Sequence, residues 1–368
     1  MKRKWFSLCL ALSLCLVLAA VPAQAASPAV PSAQDFLVDG GNVETEVYNI
    51  GGNNYFKLRD IAMLLRGTES CFSVDYDDAS RTISLVSGEA YVPDGTELRT
   101  GVDRSASCVP SSQRIVLDGS PVEITAYNIG GNNFFKLRDL GEALRFCVDY
   151  DSETNTAIVE SAYYIRHTDL SQGYPVLMYF EVPVFKGNSA ALQKINAELA
   201  AVEQEYIRTG APDALDLVRE SMGDKYGPTA ESPYQNERPA TVCTCTDELI
   251  SVTIDYLWCM GGVFDYGADS YNYNAKTGER IYLNDLIGGT DDQIREVIID
   301  ALLAQYPGIE EAGVTETPMD AIRGMDVRDI DFCVRDGVIH VLFDKYEISY
   351  GAAGAFDVSL SGALQPLG

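Results

Sequence analysis

The sequence contains few basic residues and few histidines. Its 368 residues include 27 lysines and arginines against 54 aspartates and glutamates, which gives a formal net charge of −27, and only two histidines. A negative field of this strength repels phosphate groups, so neither nucleic acid nor an anionic membrane surface is expected as a partner. Solubility is the simplest role of the charge, and attraction of a basic partner is the alternative.

Long apolar stretches are equally scarce, since only one occurs and it lies at the N-terminus. Residues 5–21 are apolar apart from two serines, follow the basic residues 2–4, and precede Pro22 and the small-x-small sequence of residues 23–25. This order predicts a secretory signal peptide over residues 1–25. An uncleaved anchor helix is the alternative, because a run of about 17 residues lies at the lower limit for spanning a bilayer.

Cleavage would remove three basic residues and no acid, so the mature chain would carry a charge of −30. Because no second long apolar stretch follows, we expect a secreted or cell-envelope-associated, extracytoplasmic chain with no membrane span after signal cleavage. A mature chain of this length predicts two or three domains. No Gly-x-Ser-x-Gly motif or phosphate-binding loop stands out, so the sequence nominates no serine hydrolase or nucleotide chemistry.

Seven cysteines follow the predicted signal, and an odd number cannot all pair within one chain. A chain this long does not need disulfides for its core, so we expect buried free thiols or an occasional disulfide. Cys243 and Cys245 alternate with threonines, a pattern that predicts a strand with both thiols on one face. Their spacing and the absence of a nearby histidine do not favour a zinc site, and no metal ligands are nominated.

The clearest feature is an internal repeat, in which residues 48–61 recur as residues 127–140 at an offset of 79. Twelve of the fourteen positions are identical, and the other two exchange one aromatic and one aliphatic residue for another. The similarity continues downstream, where Val-Asp-Tyr-Asp at residues 74–77 matches residues 148–151. The mature N-terminal third is therefore one small module written twice.

Each copy predicts the same local structure. In the first copy, a strand over residues 43–50 meets a Gly-Gly-Asn-Asn turn, and a second strand starts at Tyr55. A helix follows, because apolar residues recur at three- and four-residue spacing; they are Leu58, Ile61, Ala62 and Leu65. Strands over 72–76 and 82–86 form a closing hairpin. A helix this short must lie on the sheet to bury its face, which predicts an α+β module.

The repeated string Tyr-Asn-Ile-Gly-Gly-Asn-Asn-Tyr-Phe-Lys-Leu-Arg-Asp, followed by Val-Asp-Tyr-Asp, resembles the copper amine oxidase N-terminal-like domain. The resemblance divides this part into a first repeat at 36–88 and connecting strands with a second repeat at 89–162. It implies non-catalytic accessory or stalk modules in an exported protein. Oxidase chemistry would need three histidine ligands, whereas the chain has only His167 and His340, so no copper or other cofactor is expected.

The C-terminal half has a different pattern. The predicted elements are a proline-containing edge strand over 174–185, a helix over 189–207, paired strands over 241–260, a helix over 291–305, and strands over 330–334, 338–343 and 356–360. The apolar face predicted for the later helix consists of Ile294, Val297, Ile298, Ala301 and Leu302. The whole chain is thus predicted to be α+β, with two small sheet-plus-helix modules followed by a larger domain of antiparallel strands and helices.

Residues 273–278, 283–286 and 332–343, followed by Tyr-Glu-Ile at 346–348, resemble the C-terminal region shared by RsiV-type anti-sigma factors and PdaC-type peptidoglycan deacetylases. The resemblance implies a PdaC-like part over 163–262, an RsiV-like part over 263–368, and binding at the cell envelope. In the anti-sigma members the region senses lysozyme. The family segment that bears on lysozyme contact falls on the candidate binding residues Ser349, Tyr350 and Gly351.

Other constellations are ambiguous at this stage. The acidic turns at 75–78 and 149–153 predict solvated hairpin tips, with calcium binding as the alternative. Lys57, Arg59 and Asp60, with their copies, predict support of the helix start, with a recognition surface as the alternative. Glycoside hydrolysis would need a pair of carboxylates in a cleft, and 54 acidic residues nominate no pair.

Together these features predict a secreted, non-catalytic, cell-envelope-associated binding protein. Its expected ligand is a cell-wall polysaccharide or an extracellular protein. The alternatives are an envelope hydrolase with an unrecognised carboxylate site and a purely structural spacer.

Overall fold

The computed structural model describes residues 28–174, 176–222, 234–260, 262 and 264–361. The predicted signal peptide lies outside these residues. Strands outnumber helices and fall into several small sheets, mostly antiparallel, with helices packed on them, so the α+β class is confirmed. Within the described part of the chain, no helix is both long enough and apolar enough to cross a membrane.

The repeats contain two closely matched series of elements. The first comprises β1 (Val30–Pro31), β2 (Asp35–Val38), β3 (Gly41–Asn42), β4 (Val47–Ile50), β5 (Asn53–Lys57), α1 (Leu58–Leu65), β6 (Phe72–Asp77) and β7 (Thr82–Ser87). The second comprises β8 (Val109–Pro110), β9 (Arg114–Leu117), β10 (Ser120–Val122), β11 (Ala126–Ile129), β12 (Asn132–Lys136), α2 (Leu137–Leu144), β13 (Cys147–Asp151) and β14 (Thr156–Glu160). The predicted helix and closing hairpin are confirmed.

The two repeats meet through their equivalent strands. β5 and β12 pair antiparallel, with Phe56 directly opposite Phe135, its own equivalent in the other repeat. The pair lies at the centre of a six-stranded sheet in the order β1-β4-β5-β12-β11-β8. Both phenylalanines are fully buried. A local two-fold pseudosymmetry therefore relates the repeats across this pair.

Each repeat also gives a strand to the other. β2 of the first repeat pairs in parallel with β14 of the second, and β9 of the second pairs in parallel with β7 of the first. Asp39, which follows β2, accepts hydrogen bonds from the Ser161 amide and hydroxyl, both at 2.7 Å. Residues 36–88 and 89–162 consequently build one interlocked unit with a common core.

The sequence explains the local geometry at two points in each repeat. Gly51 and Gly52, between paired residues Ile50 and Asn53, form a two-residue hairpin turn with φ of 59° and 83°, which glycine adopts without strain. The predicted apolar face of α1 is buried throughout. Neither short helix could hold such a face in water alone, so the shared core stabilises both.

The C-terminal half continues directly from β14. Its first part comprises β15 (Tyr163–Asp169), β16 (Leu177–Phe185), α3 (Ala190–Arg208), α4 (Gly210–Met222), β17 (Tyr234–Arg238), β18 (Ala240–Cys245), β19 (Leu249–Met260) and β20 (Asp265–Asn274). Its second part comprises α5 (Leu283–Leu286), α6 (Asp291–Gln305), α7 (Pro318–Gly324), β21 (Phe332–Arg335), β22 (Val338–Phe343) and β23 (Phe356–Leu360), with short 3-10 turns at Ile309–Glu311, Val327–Asp329 and Gly351–Ala353.

Two sheets organise this half. The larger runs β15-β16-β17-β19-β18, with β20 on the other side of β19, and α3 packs against it. The smaller runs β21-β22-β23, and its core is shared with α5, α6 and α7. The junction with the repeat unit is tied by Lys186, whose ammonium donates to Ser70 Oγ at 2.7 Å, and by Ser70, which donates to the Ser161 carbonyl at 2.8 Å.

Two predictions for this half are wrong. β16 is an inner strand, between β15 and β17. It accommodates Pro183 because β17 pairs only with Leu177–Phe180, so the proline removes no hydrogen bond on that side. In α6, Val297 is 41% exposed and Ile299 is buried instead, so the buried face is rotated from the predicted one.

The prediction for Cys243 and Cys245 is also wrong. A β-bulge shifts the register between Val242 and Thr244, which breaks the two-residue alternation. The Thr244 hydroxyl donates a hydrogen bond to the Val334 carbonyl at 2.6 Å. The Cys243 thiol contacts the thiol of Cys333, which precedes Val334 on β21. Cys245 instead lies near Glu160 and Asp39, so the two thiols face different surroundings.

We expect Phe135→Ala to lower the free energy of unfolding by about 3–5 kcal/mol, because it leaves a cavity in the core that both repeats share. Chemical denaturation of the mature chain, followed by circular dichroism, measures the loss. Val109→Ala is the control, since Val109 is 54% exposed and should change stability by less than about 0.5 kcal/mol. Equal effects of the two variants would contradict the shared core.

Candidate functional site

A polar cleft lies across the two repeats. This first cleft has a volume of about 310 Å³. The first repeat lines it mostly with amide side chains, and the second contributes charged side chains, an aromatic ring and one amide. The polar lining residues are Ser32, Gln34, Asn49, Asn53, Asn54, Lys136, Arg138, Asp149, Tyr150 and Asn155. The strand exchange between the repeats is what brings these two sets of side chains together.

Hydrogen bonds order the amides of the first cleft. The Asn49 amide donates to Asn54 at 3.1 Å, and Asn54 donates to the Gln34 side chain. Across the cleft, the Tyr150 hydroxyl donates to Asn155 Oδ1 at 3.0 Å, and Tyr150 as a whole is 43% exposed. Pre-ordered amides that present both donors and acceptors beside an open aromatic ring suit a polar ligand.

A second cleft of about 160 Å³ is formed by equivalent residues with the two repeats interchanged. Its polar lining residues are Lys57, Arg59, Asp75, Tyr76, Gln113, Asn132 and Asn133. Its volume is smaller than that of the first cleft because the larger side chain of Ile83 stands where the first cleft has Ala157. Gln113 also donates to the Tyr76 hydroxyl at 3.3 Å, which holds that ring inward.

A covering segment, residues 91–98, lies over the start of α1 beside the second cleft. Lys57 donates to the Thr96 carbonyl at 2.6 Å, and the Arg59 guanidinium pairs with the Asp94 carboxylate. Asp60 accepts from the Leu98 amide at 3.0 Å. These contacts satisfy the charged groups of the first Lys-Leu-Arg-Asp motif.

Glu97 stabilises the covering segment from within. Burial opposes its ionisation, but hydrogen bonds from the Tyr91 hydroxyl and from the Asp94 and Gly95 amides outweigh burial and hold the pKa of Glu97 at about 2. The carboxylate is therefore charged at neutral pH and fixes a tight turn.

The second Lys-Leu-Arg-Asp motif is not covered in this way, because the chain passes from β14 straight into β15. The side chains of Lys136 and Asp139 are 30% and 26% exposed, whereas those of Lys57 and Asp60 are 7% and 0% exposed. Arg138 is exposed, and among the described residues its guanidinium has neither an ion pair nor a hydrogen bond. The two repeats thus differ mainly in what satisfies these charges.

The sequence interpretation missed the contribution of Gln34 and its equivalent Gln113. The signal was present, since Val-Pro-Ser-Ala-Gln at residues 30–34 matches Val-Pro-Ser-Ser-Gln at residues 109–113 at the same offset of 79. These strings form the outer strands β1 and β8 and then enter the clefts. The repeat therefore starts earlier than residue 36.

The acidic turns form hairpin tips. Asp77 accepts from the Ala79 amide at 2.9 Å and the Ser80 hydroxyl at 2.7 Å, and these bonds, the hydroxyl bond foremost, lower its pKa. Asp151 makes the equivalent bonds in the second repeat. No group of three or more potential metal ligands occurs in the ranges that the structure describes. These hydrogen bonds give Asp77 and Asp151 a structural role in their turns.

The predicted binding residues Ser349, Tyr350 and Gly351 lie in the loop between β22 and β23, away from the clefts. Ser349 is buried, the Tyr350 amide donates to the Ala312 carbonyl at 2.9 Å, and its ring is 45% exposed. At Gly351 a side chain would collide with the Tyr346 ring, only 2.0 Å from an added Cβ. Their role in binding stays a prediction.

Two carboxylates in and beside this loop, Glu347 and the partly buried Asp331, have raised pKa values. Desolvation raises the pKa of Asp331 to about 6, although the Ser270 amide and hydroxyl donate to it at 2.8 and 2.7 Å. Desolvation also raises the pKa of Glu347 to about 7, and the charges of Asp344 and Asp331 add to the increase. These carboxyls take up protons near neutral pH.

No family model matches this chain, and no curated protein does. Six chains of solved structures are similar to it. One is a DUF3298 family protein from Bacteroides fragilis, with 14% identity and a TM-score of 0.37, covering 60% of this chain and 91% of the other. Another is a DUF3298 family protein from Pseudomonas aeruginosa, with 14% identity and a TM-score of 0.33, covering 55% and 92%.

The structural neighbours are thus DUF3298 family proteins, whose name denotes a domain of unknown function. The resemblance of the repeats to the copper amine oxidase N-terminal-like domain stays a prediction.

We expect the free energy of unfolding of Glu347→Gln, relative to that of the unchanged chain, to increase as pH rises from about 4.5 to about 7.5. The folded state holds a proton on Glu347 that the unfolded state releases in this window, so the natural chain loses stability as pH rises through it. Chemical denaturation at several pH values measures the difference.

Glu97→Gln is a control of opposite sign, because its pKa is lowered to about 2 in the folded state. Its stability relative to the unchanged chain should fall as pH rises from about 2 to about 5 and then stay constant. A pH-independent difference for Glu347→Gln would contradict the raised pKa of that carboxyl.

Proposed function

We infer that this chain is an exported, non-catalytic binding protein of the cell envelope and that the first cleft takes a saccharide of the cell wall. The observation that carries the proposal is the convergence of amides from one repeat and the exposed Tyr150 ring from the other in a single cleft of about 310 Å³. The signal-like order of residues 1–25 supports export.

The lining chemistry suits a saccharide for two reasons. Each sugar hydroxyl both donates and accepts, and asparagine and glutamine side chains also offer both functions. The apolar face of a sugar ring packs on an aromatic ring, which Tyr150 presents beside Asn53 and Asn54. The cleft volume lies in the range typical of small-ligand sites, roughly 300–1,000 Å³.

Binding is favoured over hydrolysis at this cleft. Glycoside hydrolysis ordinarily uses two carboxyl groups that flank the scissile bond. Among the described residues, Asp149 is the one carboxylate that lines the first cleft, and it accepts from the Tyr150 amide at 2.7 Å. An enzyme would therefore need a site elsewhere, and a spacer would leave the ordered amides without a role.

An extracellular protein is the second candidate ligand, and it would use a different surface. Tyr350 is flanked by Tyr346, Phe264 and Tyr266, which are 56%, 44% and 36% exposed. The Lys345 ammonium lies 5.4 and 5.1 Å from the ring centres of Tyr266 and Tyr346. Exposed aromatic side chains around a cation are common at protein interfaces.

We expect Asn53→Ala and Tyr150→Ala each to weaken binding to purified peptidoglycan about tenfold, because each removes a hydrogen-bonding or stacking group. A sedimentation assay with the insoluble polymer measures binding. Asn132→Ala is the matched control, since Asn132 is the equivalent of Asn53 and lines the second cleft. It should leave binding unchanged.

Two further measurements separate the alternatives. Release of soluble sugar fragments would establish an enzyme and refute the non-catalytic proposal. Titration with lysozyme tests the protein ligand, and binding that Tyr350→Ala abolishes and Asn53→Ala does not would move the ligand to the aromatic surface. No binding in either assay would leave the spacer.

A further inference from the structure

The two Lys-Leu-Arg-Asp motifs are identical in sequence and occupy equivalent places at the starts of α1 and α2. Among the described residues, only the first is covered by a separate segment such as residues 91–98. Because the repeats are related by pseudosymmetry, the contacts at the first motif indicate what the second motif is built to receive.

The covering segment meets the first motif in a turn conformation, with Gly95 and Leu98 at φ of 82° and 55°, and makes three evenly spaced contacts. Its Asp94 side chain pairs with Arg59, its Thr96 carbonyl accepts from Lys57, and its Leu98 amide donates to Asp60. The pattern is a carboxylate, a main-chain carbonyl two residues later and a main-chain amide two residues after that. Side chains of the motif alone provide the complementary groups.

The second motif offers the same three groups, and they remain accessible. Arg138 makes no hydrogen bond or ion pair within the described part of the chain. Lys136 and Asp139 pair at 3.2 Å and keep about a quarter or more of their side chains exposed. Asp139 also accepts weakly from the Thr125 amide, at 3.4 Å. An exposed lysine–aspartate pair contributes little stability by itself, so its groups are free to exchange this contact for a ligand.

We propose that Lys136, Arg138 and Asp139 bind an acidic peptide segment of a partner protein in the turn conformation that the covering segment adopts. Arg138 pairs with the carboxylate of the segment, Lys136 donates to its carbonyl, and Asp139 accepts from its amide. A guanidinium recognises a carboxylate with two parallel hydrogen bonds, which gives this contact direction as well as charge. The proposal concerns the rim of the first cleft and does not depend on a saccharide within it.

The charge of the whole chain makes this recognition local. At −27, the chain repels acidic partners at long range, so the peptide is held by close contacts at the second motif.

The test is a chemical-shift titration of the ¹⁵N-labelled mature chain with a synthetic peptide of residues 90–99. The peptide carries Asp94, Thr96 and Leu98 in their natural order. We expect saturable shifts at the start of α2. Arg138→Gln should weaken binding about tenfold, and so should Asp94→Asn in the peptide, because either change removes a charge-assisted pair.

Arg66→Gln is the matched control, since Arg66 is an exposed arginine at the far end of α1 and makes the same charge change. It should leave the affinity unchanged. A scrambled peptide of equal composition should bind at least tenfold more weakly, because it keeps the charge and loses the order of the three groups.

Three results would overturn the proposal. They are the absence of saturable shifts, equal affinity of Arg138→Gln and Arg66→Gln, and equal binding of the scrambled peptide. A fourth is self-association of the chain that Arg138→Gln abolishes, seen by analytical ultracentrifugation, which would make a second copy the occupant in place of a partner peptide. Circular dichroism confirms that each variant is folded.

Discussion

The pairing of β5 with β12 is the contact on which the N-terminal half depends. It places Phe56 opposite Phe135 at the centre of one sheet. With the repeats joined in this way, β2 of the first repeat pairs with β14 of the second, and β9 of the second pairs with β7 of the first. Large aromatic side chains bury roughly 150–250 Å² each, so these two residues contribute strongly to the common core. The apolar faces of α1 and α2 both pack on this core.

The same pairing determines how the clefts are built. Because each repeat contributes its turn amides to one cleft and its charged helix start to the other, no cleft belongs to one repeat. Pseudosymmetry would make the two clefts alike, and the chain itself makes them different. It returns over α1 as the covering segment and leaves α2 for β15, so the same four-residue motif is buried in one repeat and open in the other.

Local structure could be predicted from the sequence wherever a single period decided it. The helix at Leu58–Leu65, its copy and α6 follow from apolar spacing, and the glycine turns follow from the need for positive φ. The exchange of β2 and β9 could not be predicted, because strand alternation identifies a buried face and not the partner strand. β16 and Cys243 were misjudged for a related reason, since an edge or a bulge depends on which neighbour pairs and over what length.

The candidate site could be predicted only in part. The repeated Asn-Asn and Lys-Leu-Arg-Asp strings were visible, but their sequence distance within a repeat gives no sign that Asn53 faces Arg138 of the other repeat. The matched strings that carry Gln34 and Gln113 were the one overlooked clue. The contrast between the covered and the open motif depends on the path of the connecting segment. The sequence of that segment has no periodic pattern from which its path could be predicted.

The strand exchange has a consequence for how such a chain can grow or shrink. Loss of one repeat would strip β14 or β7 of its parallel neighbour and leave Phe56 or Phe135 without its counterpart. Insertion of a third repeat would likewise leave strands without their parallel partners. The pair of repeats is therefore the smallest unit of this architecture that duplication can add, and longer chains should contain an even number of repeats.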